Sequence, residues 1–265
     1  MKCSIISLAC LCIVSSFHLP AQEYLPAHHI READVMWSQR VWRELDLKQK
    51  INQPLYYPVH SSQGYSSLYD VLTEAIHNGV LTAYGTGPLG QNDEMEYALS
   101  PSEVKAITHS LDSVYTPRLD GNGHELVIVE DSIRSEMVTR YRIKEEWIFD
   151  RNRSQMVVRI LGIAPLVEQF AEDGSSRGFT TLFWVDYGSC RDVLADAPVF
   201  IRHNDNRQLN YDDIFAKRFF DSYVVKSSNV YDRPISSYAQ GIDALLEGES
   251  IEEDIRNFEF DLWSH

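Results

Sequence analysis

The feature that most constrains the fold is a pair of apolar segments between residues 140 and 165, separated by a short polar turn at residues 151–154. In the first segment, aromatic and branched residues alternate with charged ones, at Tyr141, Ile143, Trp147 and Phe149. The second segment, from Met156 to Leu166, is almost continuously apolar, which is typical of a strand buried on both faces. We therefore predict a β-hairpin at the centre of a sheet. The hairpin sequence holds no nucleophile motif, metal-ligand cluster or phosphate loop, which favours a scaffold over a catalyst.

The rest of the pattern predicts helices toward both ends of the chain. Helices are predicted over residues 32–51, 67–78, 211–225, 235–247 and 250–263, with a short helix beginning at 191–195. A capping box at residues 100–103 opens another helix that runs to about Leu111. Strands are predicted over residues 80–84 and 179–187, and a second hairpin pairs residues 113–118 with 125–129. This order predicts an α+β fold, with a mostly antiparallel central sheet flanked by N- and C-terminal helices.

The first 21 residues have the pattern of a secretory signal peptide. Lys2 provides a positive charge, residues 5–14 are apolar, and Ala21 stands before a plausible cleavage point. The apolar stretch is too short to span a bilayer. We expect an exported chain over residues 22–265, folded as one domain with an irregular arm at residues 22–31, because no low-complexity linker divides it.

Cysteine content and charge exclude several classes of function. Three of the four cysteines lie in the predicted signal, so Cys190 alone remains and no internal disulfide is expected. We interpret Cys190 as a small buried residue. The net charge of −15 opposes binding to nucleic acid or to an anionic membrane surface.

Several patterns could suggest chemistry, and each has a simpler structural explanation. Residues 85–90 match the glycine spacing of a dinucleotide loop, but Pro88 removes a backbone donor and acidic residues follow, so a plain loop is favoured. The adjacent His28 and His29 lack a third metal ligand at a suitable spacing. Cys190 could be combined with His203 and Asp205 in a thiol triad, but no activating motif surrounds the cysteine. We expect no cofactor and no metal.

Three carboxylates in the first strand of the central hairpin could suggest glycoside hydrolysis. Alternation places Glu146 and Asp150 on one face and Glu145 on the other. Pairing with basic residues across the strands, such as Arg153, Arg159 or Lys144, is the simpler explanation.

Aromatic and basic residues are the more informative pattern. Interface cores favour aromatic residues and arginine as anchors. Two stretches of the chain combine them, and we predict a partner interface built from Trp37, Trp42, Arg43, Arg218, Phe219, Phe220, Tyr223, Tyr231 and Arg233.

Four long segments and a short terminal one resemble the gliding motility protein family GldN, also called PorN. They are WSQRVWRELDLKQKIN (37–52), YRIKEEWIFDRNRSQMVVRILGIAP (141–165), FWVDYGSCRDVLA (183–195), DDIFAKRFFDSYVVKSSNVYDRPI (212–235) and DLW (261–263). The segments occur in order over nearly the whole exported chain, whereas residues 112–131 match nothing in the family pattern.

The resemblance implies a periplasmic, non-enzymatic scaffold of the type IX secretion system. Such a subunit is expected to form a large ring with the outer-membrane lipoprotein GldK (PorK) and to contact the periplasmic part of the motor subunit GldM (PorM). A ring requires two different adhesive surfaces on each subunit. The alternatives are an exported hydrolase using Glu146 and Asp150, or a glycan-binding protein of the cell envelope that displays Trp37, Trp42 and the adjacent Tyr56 and Tyr57.

Overall fold

The computed structural model describes residues 30–263, except residues 89, 91, 118–123, 172 and 202–208. Ten strands are described: β1 Val35–Asp46, β2 Ala83–Gly85, β3 Tyr97–Leu99, β4 His109–Pro117, β5 His124–Ser132, β6 Val138–Asp150, β7 Gln155–Phe170, β8 Ser176–Thr181, β9 Trp184–Asp186 and β10 Tyr223–Ser227. Six α-helices are described: α1 Gln53–Tyr56, α2 Leu68–His77, α3 Pro101–Thr108, α4 Tyr187–Asp196, α5 Tyr211–Ala216 and α6 Ile242–Trp263.

Eight of the strands form one antiparallel sheet in the order β10-β1-β6-β7-β9-β2-β3, with β8 also paired to β7. The β6–β7 hairpin lies in the middle of this order, so the predicted central hairpin is confirmed. The α+β class and the mostly antiparallel sheet are confirmed as well. The strands β4 and β5 pair only with each other and form a separate two-stranded sheet, which confirms the second predicted hairpin; its turn at residues 120–123 lies outside the described residues.

Burial along β7 differs from the prediction for half of its length. Residues 162–167 are buried, as expected, but residues 156–161 are only half-buried. The two halves meet at a register shift, where Lys144 pairs with Gly162 and the next residue, Glu145, pairs with Ile160. Leu161 is the additional residue at this bulge, and a bulge bends its strand. The first half of β7 therefore lies near the rim of the core.

The predicted helix over residues 32–51 is wrong, because most of it is the long strand β1. This strand pairs with β6 from Val35 to Asp46 and with β10 from Val41 to Glu44. The segment is rich in good helix formers such as arginine, glutamate and leucine, but tertiary pairing on both sides overrides that local preference. Its two faces are both buried over residues 41–45, which hides the alternation that marks a strand.

The predicted helix over residues 211–225 is also wrong beyond its first turns. It ends at Ala216, and Arg218 has a left-handed backbone with φ of 52°. The Phe219 amide then donates to the Ile214 carbonyl at 2.8 Å, which closes the helix end in the way a Schellman motif does. The chain is thereby released to form the edge strand β10.

The C-terminal prediction of two acidic helices is wrong, since residues 242–263 form the single helix α6. Residues 235–237 form only a 3₁₀ turn. Gly248, which falls between the two predicted helices, lies inside α6 and packs closely on β10: a Cβ there would lie 2.7 Å from the Val224 carbonyl oxygen. The missing side chain of this glycine lets the α6 backbone lie close to β10, and the glycine does not end the helix.

The predicted strand over residues 179–187 is interrupted. It forms the end of β8 and then β9, and the helix α4 begins at residue 187, four residues earlier than expected. Asp186 caps this helix, its carboxylate accepting from the Ser189 amide at 2.7 Å. Predicted strand 80–84 is shorter, at residues 83–85.

Two helices begin at a serine cap, and the capping box of the second one, α3, was predicted. Ser67 caps α2, accepting from the Asp70 amide, and that helix matches its predicted span within one residue at each end. Ser100 and Glu103 form the complete capping box of α3, with Pro101 at the first helical position. This helix ends at Thr108 rather than Leu111, because His109 begins β4.

Replacing Ser100 by alanine should lower the free energy of unfolding by about 1 kcal/mol, because the Glu103 amide loses its capping oxygen. Equilibrium denaturation in urea measures the change. Lys105→Ala on the same helix is the control, since Lys105 is exposed and lies outside the cap, and it should alter stability by less than half as much. Equal effects of the two substitutions would contradict the capping role.

The main core lies on one face of the sheet. Leu45, Ile143 and Ile163 of the sheet pack there with Leu72 of α2 and Leu194 of α4. Farther along the same face, α6 covers the strands through a second cluster that includes Val41, Val224 and Ile255. The opposite face carries a smaller cluster of Trp42, Ala164 and Trp184, with Met95 of the segment between β2 and β3 packed against it.

Candidate interaction surface

Trp42, a predicted interface anchor, is buried, with 3% of its surface exposed. Its neighbours in register are Lys144 on β6 and Lys226 on β10, and the two ammonium groups lie 5.2 and 4.3 Å from the centroid of its ring system. Asp93 accepts from both lysines, through its carbonyl oxygen at 2.9 Å and its carboxylate at 2.8 Å. The Trp42 Nε1–H has no hydrogen-bond partner among the described residues. This tryptophan stabilises the sheet and cannot touch a partner directly in this fold.

Arg43 is buried on the opposite face of β1 and connects the sheet to α6. Its guanidinium donates to the Ser222 hydroxyl and carbonyl, both at 2.8 Å, and pairs with Glu252 of α6 at 2.8 Å. The residue therefore holds the long helix on the sheet rather than presenting a charge to solvent.

Phe220 is buried against Phe215, with ring centroids 5.9 Å apart. Its neighbour Arg218 is more exposed and pairs with Glu145, which is completely buried, at 2.7 Å. Glu145 also accepts from the Trp147 indole at 3.1 Å. Through the Arg218–Glu145 pair, the segment after α5 is attached to the central strand β6.

Trp37 and Tyr223 are only partly buried. The Trp37 ring lies 4.9 Å from that of Phe258 on α6. The Tyr223 hydroxyl donates to Glu44 at 3.0 Å and accepts from Arg140 at 2.8 Å. Burial and the negative charge of Glu44 raise the Tyr223 pKa, so this hydroxyl stays protonated and fixed in the network.

Of the predicted anchors, Phe219, Tyr231 and Arg233 remain exposed, and so does Arg218, whose guanidinium is already paired with Glu145. Tyr231 is 73% exposed, and the Arg233 guanidinium lies 4.6 Å from the centroid of its ring. The prediction of a partner interface itself stays a prediction, but the fold leaves only part of the proposed set accessible.

Several exposed apolar residues follow Tyr231 closely along the chain, and only Tyr231 among them was a predicted anchor. We name as the 230–246 surface the exposed side chains of Val230, Tyr231, Tyr238, Ile242, Leu245 and Leu246. On α6, the sheet is contacted by a different stripe that includes Gly248, Ile251 and Ile255. A helical projection of residues 242–263 could have revealed that α6 has more apolar residues than its contact with the sheet needs, because Ile242, Leu245 and Leu246 fall outside that stripe.

A cavity of about 320 Å³ lies between β10, the following loop and the start of α6. We name it the edge groove. Its polar lining includes Glu44, Asp93, Arg140, Arg142, Tyr223 and Lys226, and its apolar lining includes Trp42, Val225, Pro234, Ala244 and Leu245. Glu44 is the centre of the polar part, since it accepts from Arg140 at 3.2 Å and pairs with Arg142 at 2.5 Å.

The residues that could have suggested catalysis occupy structural positions. Cys190 is buried, donates to the Tyr187 carbonyl at 3.3 Å, and has a pKa raised by burial, which keeps the thiol protonated. Asp150 accepts from the Asn152 and Arg153 amides in the hairpin turn. Glu146 faces Arg159 in register, as predicted. His28, His29, His203 and Asp205 lie outside the described residues.

The glycine-containing segment at residues 85–90 follows β2 as a loop and does not lead into a helix. This agrees with its interpretation as a loop rather than a dinucleotide site, whose last glycine opens a helix. In the described part of the chain, histidine, cysteine and carboxylate side chains form no group of three or more that could hold a metal ion. No helix there combines the length and apolarity needed to cross a membrane.

Comparison with known proteins identifies the family. The model of the family "Gliding motility associated protein GldN" matches residues 30–264, which is nearly the whole chain. No curated protein matches. The resemblance seen in the sequence is thereby confirmed: the chain belongs to the GldN family, whose members are structural components associated with gliding motility and type IX secretion.

Proposed function

We propose that this chain is a non-enzymatic scaffold subunit of the type IX secretion and gliding machinery. In this proposal residues 1–21 are removed on export, and the chain works in the periplasm. A GldK-like (PorK-like) outer-membrane lipoprotein holds it at that membrane and builds a large ring with it, and a GldM-like (PorM-like) motor domain contacts the ring. Membership of the GldN family supports the link to this machinery.

The observation that carries the proposal is the 230–246 surface. Each of its six side chains is more than half exposed, and Val230 is 96% exposed. Exposed apolar groups concentrated in one part of a protein mark interaction sites, because covering them contributes roughly 25 cal/mol per Å² of apolar area. Tyr231 beside Arg233 adds the residue types that dominate binding energy at interfaces.

The hydrolase alternative has less support. A glycosidase needs one carboxylate that is free to protonate the leaving group and a second one placed across the bond. Here Glu145 is paired with Arg218, Asp150 accepts from turn amides, and Glu146 faces Arg159. Contacts account for Glu145 and Asp150 in structural terms, and Glu146 has a basic residue opposite it in the sheet.

The test is co-assembly of the exported chain with the GldK-like lipoprotein, followed by gel filtration with light scattering. A Tyr231→Ala, Leu246→Ala double variant should bind the partner at least roughly tenfold more weakly, because two exposed anchors are lost. Its fold should be intact, since neither side chain is buried.

Val80→Ala is the matched control. Val80 is also exposed and apolar but lies in the turn after α2, outside the 230–246 surface. Undiminished binding by the double variant would contradict the proposed surface. A wild-type chain that elutes as a monomer in the presence of the lipoprotein would contradict the scaffold itself.

A further inference from the structure

The β4–β5 hairpin stands apart from the eight-stranded sheet. Its two strands pair only with each other among the described residues. Outside the pair, the contacts described for it are mainly with α3, the helix that leads into β4. A two-stranded ribbon is at best marginally stable in water, because it has no third strand or helix on which to pack. The hairpin therefore gains stability from any strand that is added to it.

Both outer edges of this hairpin are open in the part of the chain that the structure describes. The ladder runs from the pair His109–Ser132 to the pair Pro117–His124 without a register shift. Each strand has nine residues, which extend about 30 Å at roughly 3.4 Å per residue. Edge strands are usually protected by short length, lysine, proline or a bulge. These two strands contain no lysine and no bulge, and Pro117 is the last residue of β4.

The sequence of β5 makes its outer edge the better template for an added strand. Residues 126–129 are Leu, Val, Ile and Val, and valine and isoleucine are among the strongest strand formers. Glu125 precedes this apolar run, and Glu130 and Asp131 follow it. The edge thus has an apolar centre with carboxylates at both ends.

Charge decides which kind of strand can be added. Together β4 and β5 contain four carboxylates and no lysine or arginine. By register, Glu125 lies opposite Thr116 and Glu130 opposite Leu111, so neither has a basic residue directly across the ladder. A second copy would bring the same four carboxylates, and like charges on paired strands are destabilising. A strand with basic residues at both ends is favoured on this edge instead.

We propose that the β5 edge is a docking site for an extended segment of another protein, with an apolar centre and lysine or arginine at both ends. The backbone of that segment pairs with the outer edge of β5, and its basic residues meet Glu125 and Glu130. Residues 112–131 lie outside the segments that carry the family resemblance, and they share no residue with the 230–246 surface. The site is therefore an addition to the proposed scaffold function and does not depend on it.

The test uses residues 22–265 and a synthetic peptide, Lys-Lys-Val-Thr-Val-Thr-Val-Lys-Lys, whose symmetric sequence can pair with β5 in either direction. Isothermal titration calorimetry should show binding. Hydrogen–deuterium exchange should show slower exchange of the amides in residues 124–132 when the peptide is present, because the added strand protects the open edge.

The same peptide with N-methyl groups on two adjacent central residues is the matched control. Successive amides of a strand point to opposite edges, so two adjacent methyl groups block pairing on both edges while charge and side chains are kept. This peptide should bind at least about tenfold more weakly, because backbone hydrogen bonds are lost.

A charge swap separates docking at β5 from general attraction to an acidic protein. Glu125→Lys together with Glu130→Lys should weaken binding of the basic peptide at least about tenfold, and should strengthen binding of a peptide with glutamate in place of its lysines. Glu249→Lys together with Glu253→Lys is the control, since both residues are exposed on α6 and the net charge changes by the same amount. This variant should keep the affinity for the basic peptide within about twofold.

Several results would overturn the inference. Failure of the basic peptide to bind, or equal binding by the methylated peptide, would exclude strand addition. Binding without slower exchange in residues 124–132, or equal losses in the two double variants, would place the peptide elsewhere. Protection of β5 in the chain alone, at a concentration where it elutes as a dimer, would show that a second copy covers the edge. Co-elution with the GldK-like lipoprotein tests the scaffold function separately, whatever the peptide does.

Discussion

Replacing Asp212 by asparagine should lower the free energy of unfolding by about 3–5 kcal/mol, the usual cost of breaking a buried ion pair from one side. Asp212 and Arg191 are both buried, and their side chains meet twice, at 2.9 and 3.0 Å. Asp212 also accepts from the Tyr187 hydroxyl at 2.9 Å. The substitution removes the negative charge that compensates a buried guanidinium and weakens the link between α4 and α5. Equilibrium urea denaturation of residues 22–265 measures the loss.

The neighbouring Asp213 is a matched control for that prediction. Asp213 pairs with Lys217 one turn along α5, near the surface. Exposed pairs of this kind contribute about 0.2–1 kcal/mol, so Asp213→Asn should change stability far less. If the two substitutions cost the same, the buried Arg191–Asp212 pair is not what joins the two helices.

Replacing Gly248 by alanine should destabilise the fold by about 1–3 kcal/mol, although alanine is the better helix former by about 1 kcal/mol. An added Cβ would lie 2.7 Å from the Val224 carbonyl oxygen. Backbone cannot rotate away as a flexible side chain can, so α6 must move off the edge strand β10. The steric cost outweighs the gain in helix propensity, so a loss of stability, rather than a gain, would show that α6 lies close to β10.

Thermal unfolding compared between Gly248→Ala and Glu249→Ala checks this prediction. Glu249 is the next residue along the helix and is exposed, so alanine there should leave the melting temperature nearly unchanged. A higher melting temperature for Gly248→Ala would mean that helix propensity dominates and that α6 does not press on β10. The apolar cluster of Val41, Val224 and Ile255 and the Arg43–Glu252 pair would then hold the helix on the sheet.

Local patterns were sufficient wherever the determining contacts are close in sequence. The capping box at Ser100 and the span of α2 involve residues within a few turns of one another, and they were predicted correctly. The β6–β7 hairpin is also local, because its strands are joined by a short turn. The burial of Cys190 follows the ordinary preference of a lone cysteine for the core.

Predictions failed where partners distant in the chain decide the structure. Strand β1 was taken for a helix, since only pairing with β6 and β10, about one hundred and nearly two hundred residues away, makes it a strand. The same long-range pairing with β1 makes residues 223–227 a strand, although the local sequence predicts that an aromatic helix continues to residue 225. For the interface, composition could point to aromatic and basic residues, but it could not separate buried Trp42 and Phe220 from exposed Tyr231.

The amino-acid sequence by itself determined the family, the α+β class, the central hairpin and the starts of α2 and α3, because each depends on residue order or on contacts between near neighbours. Only the tertiary structure decided which anchors are accessible. The edge groove is assembled from β1, β6, β10, α6 and the segment that carries Asp93, and Ile242 and Leu246 are exposed because α6 runs as one helix with another stripe against the sheet. Burial is a property of packing between distant segments, so no local pattern records it.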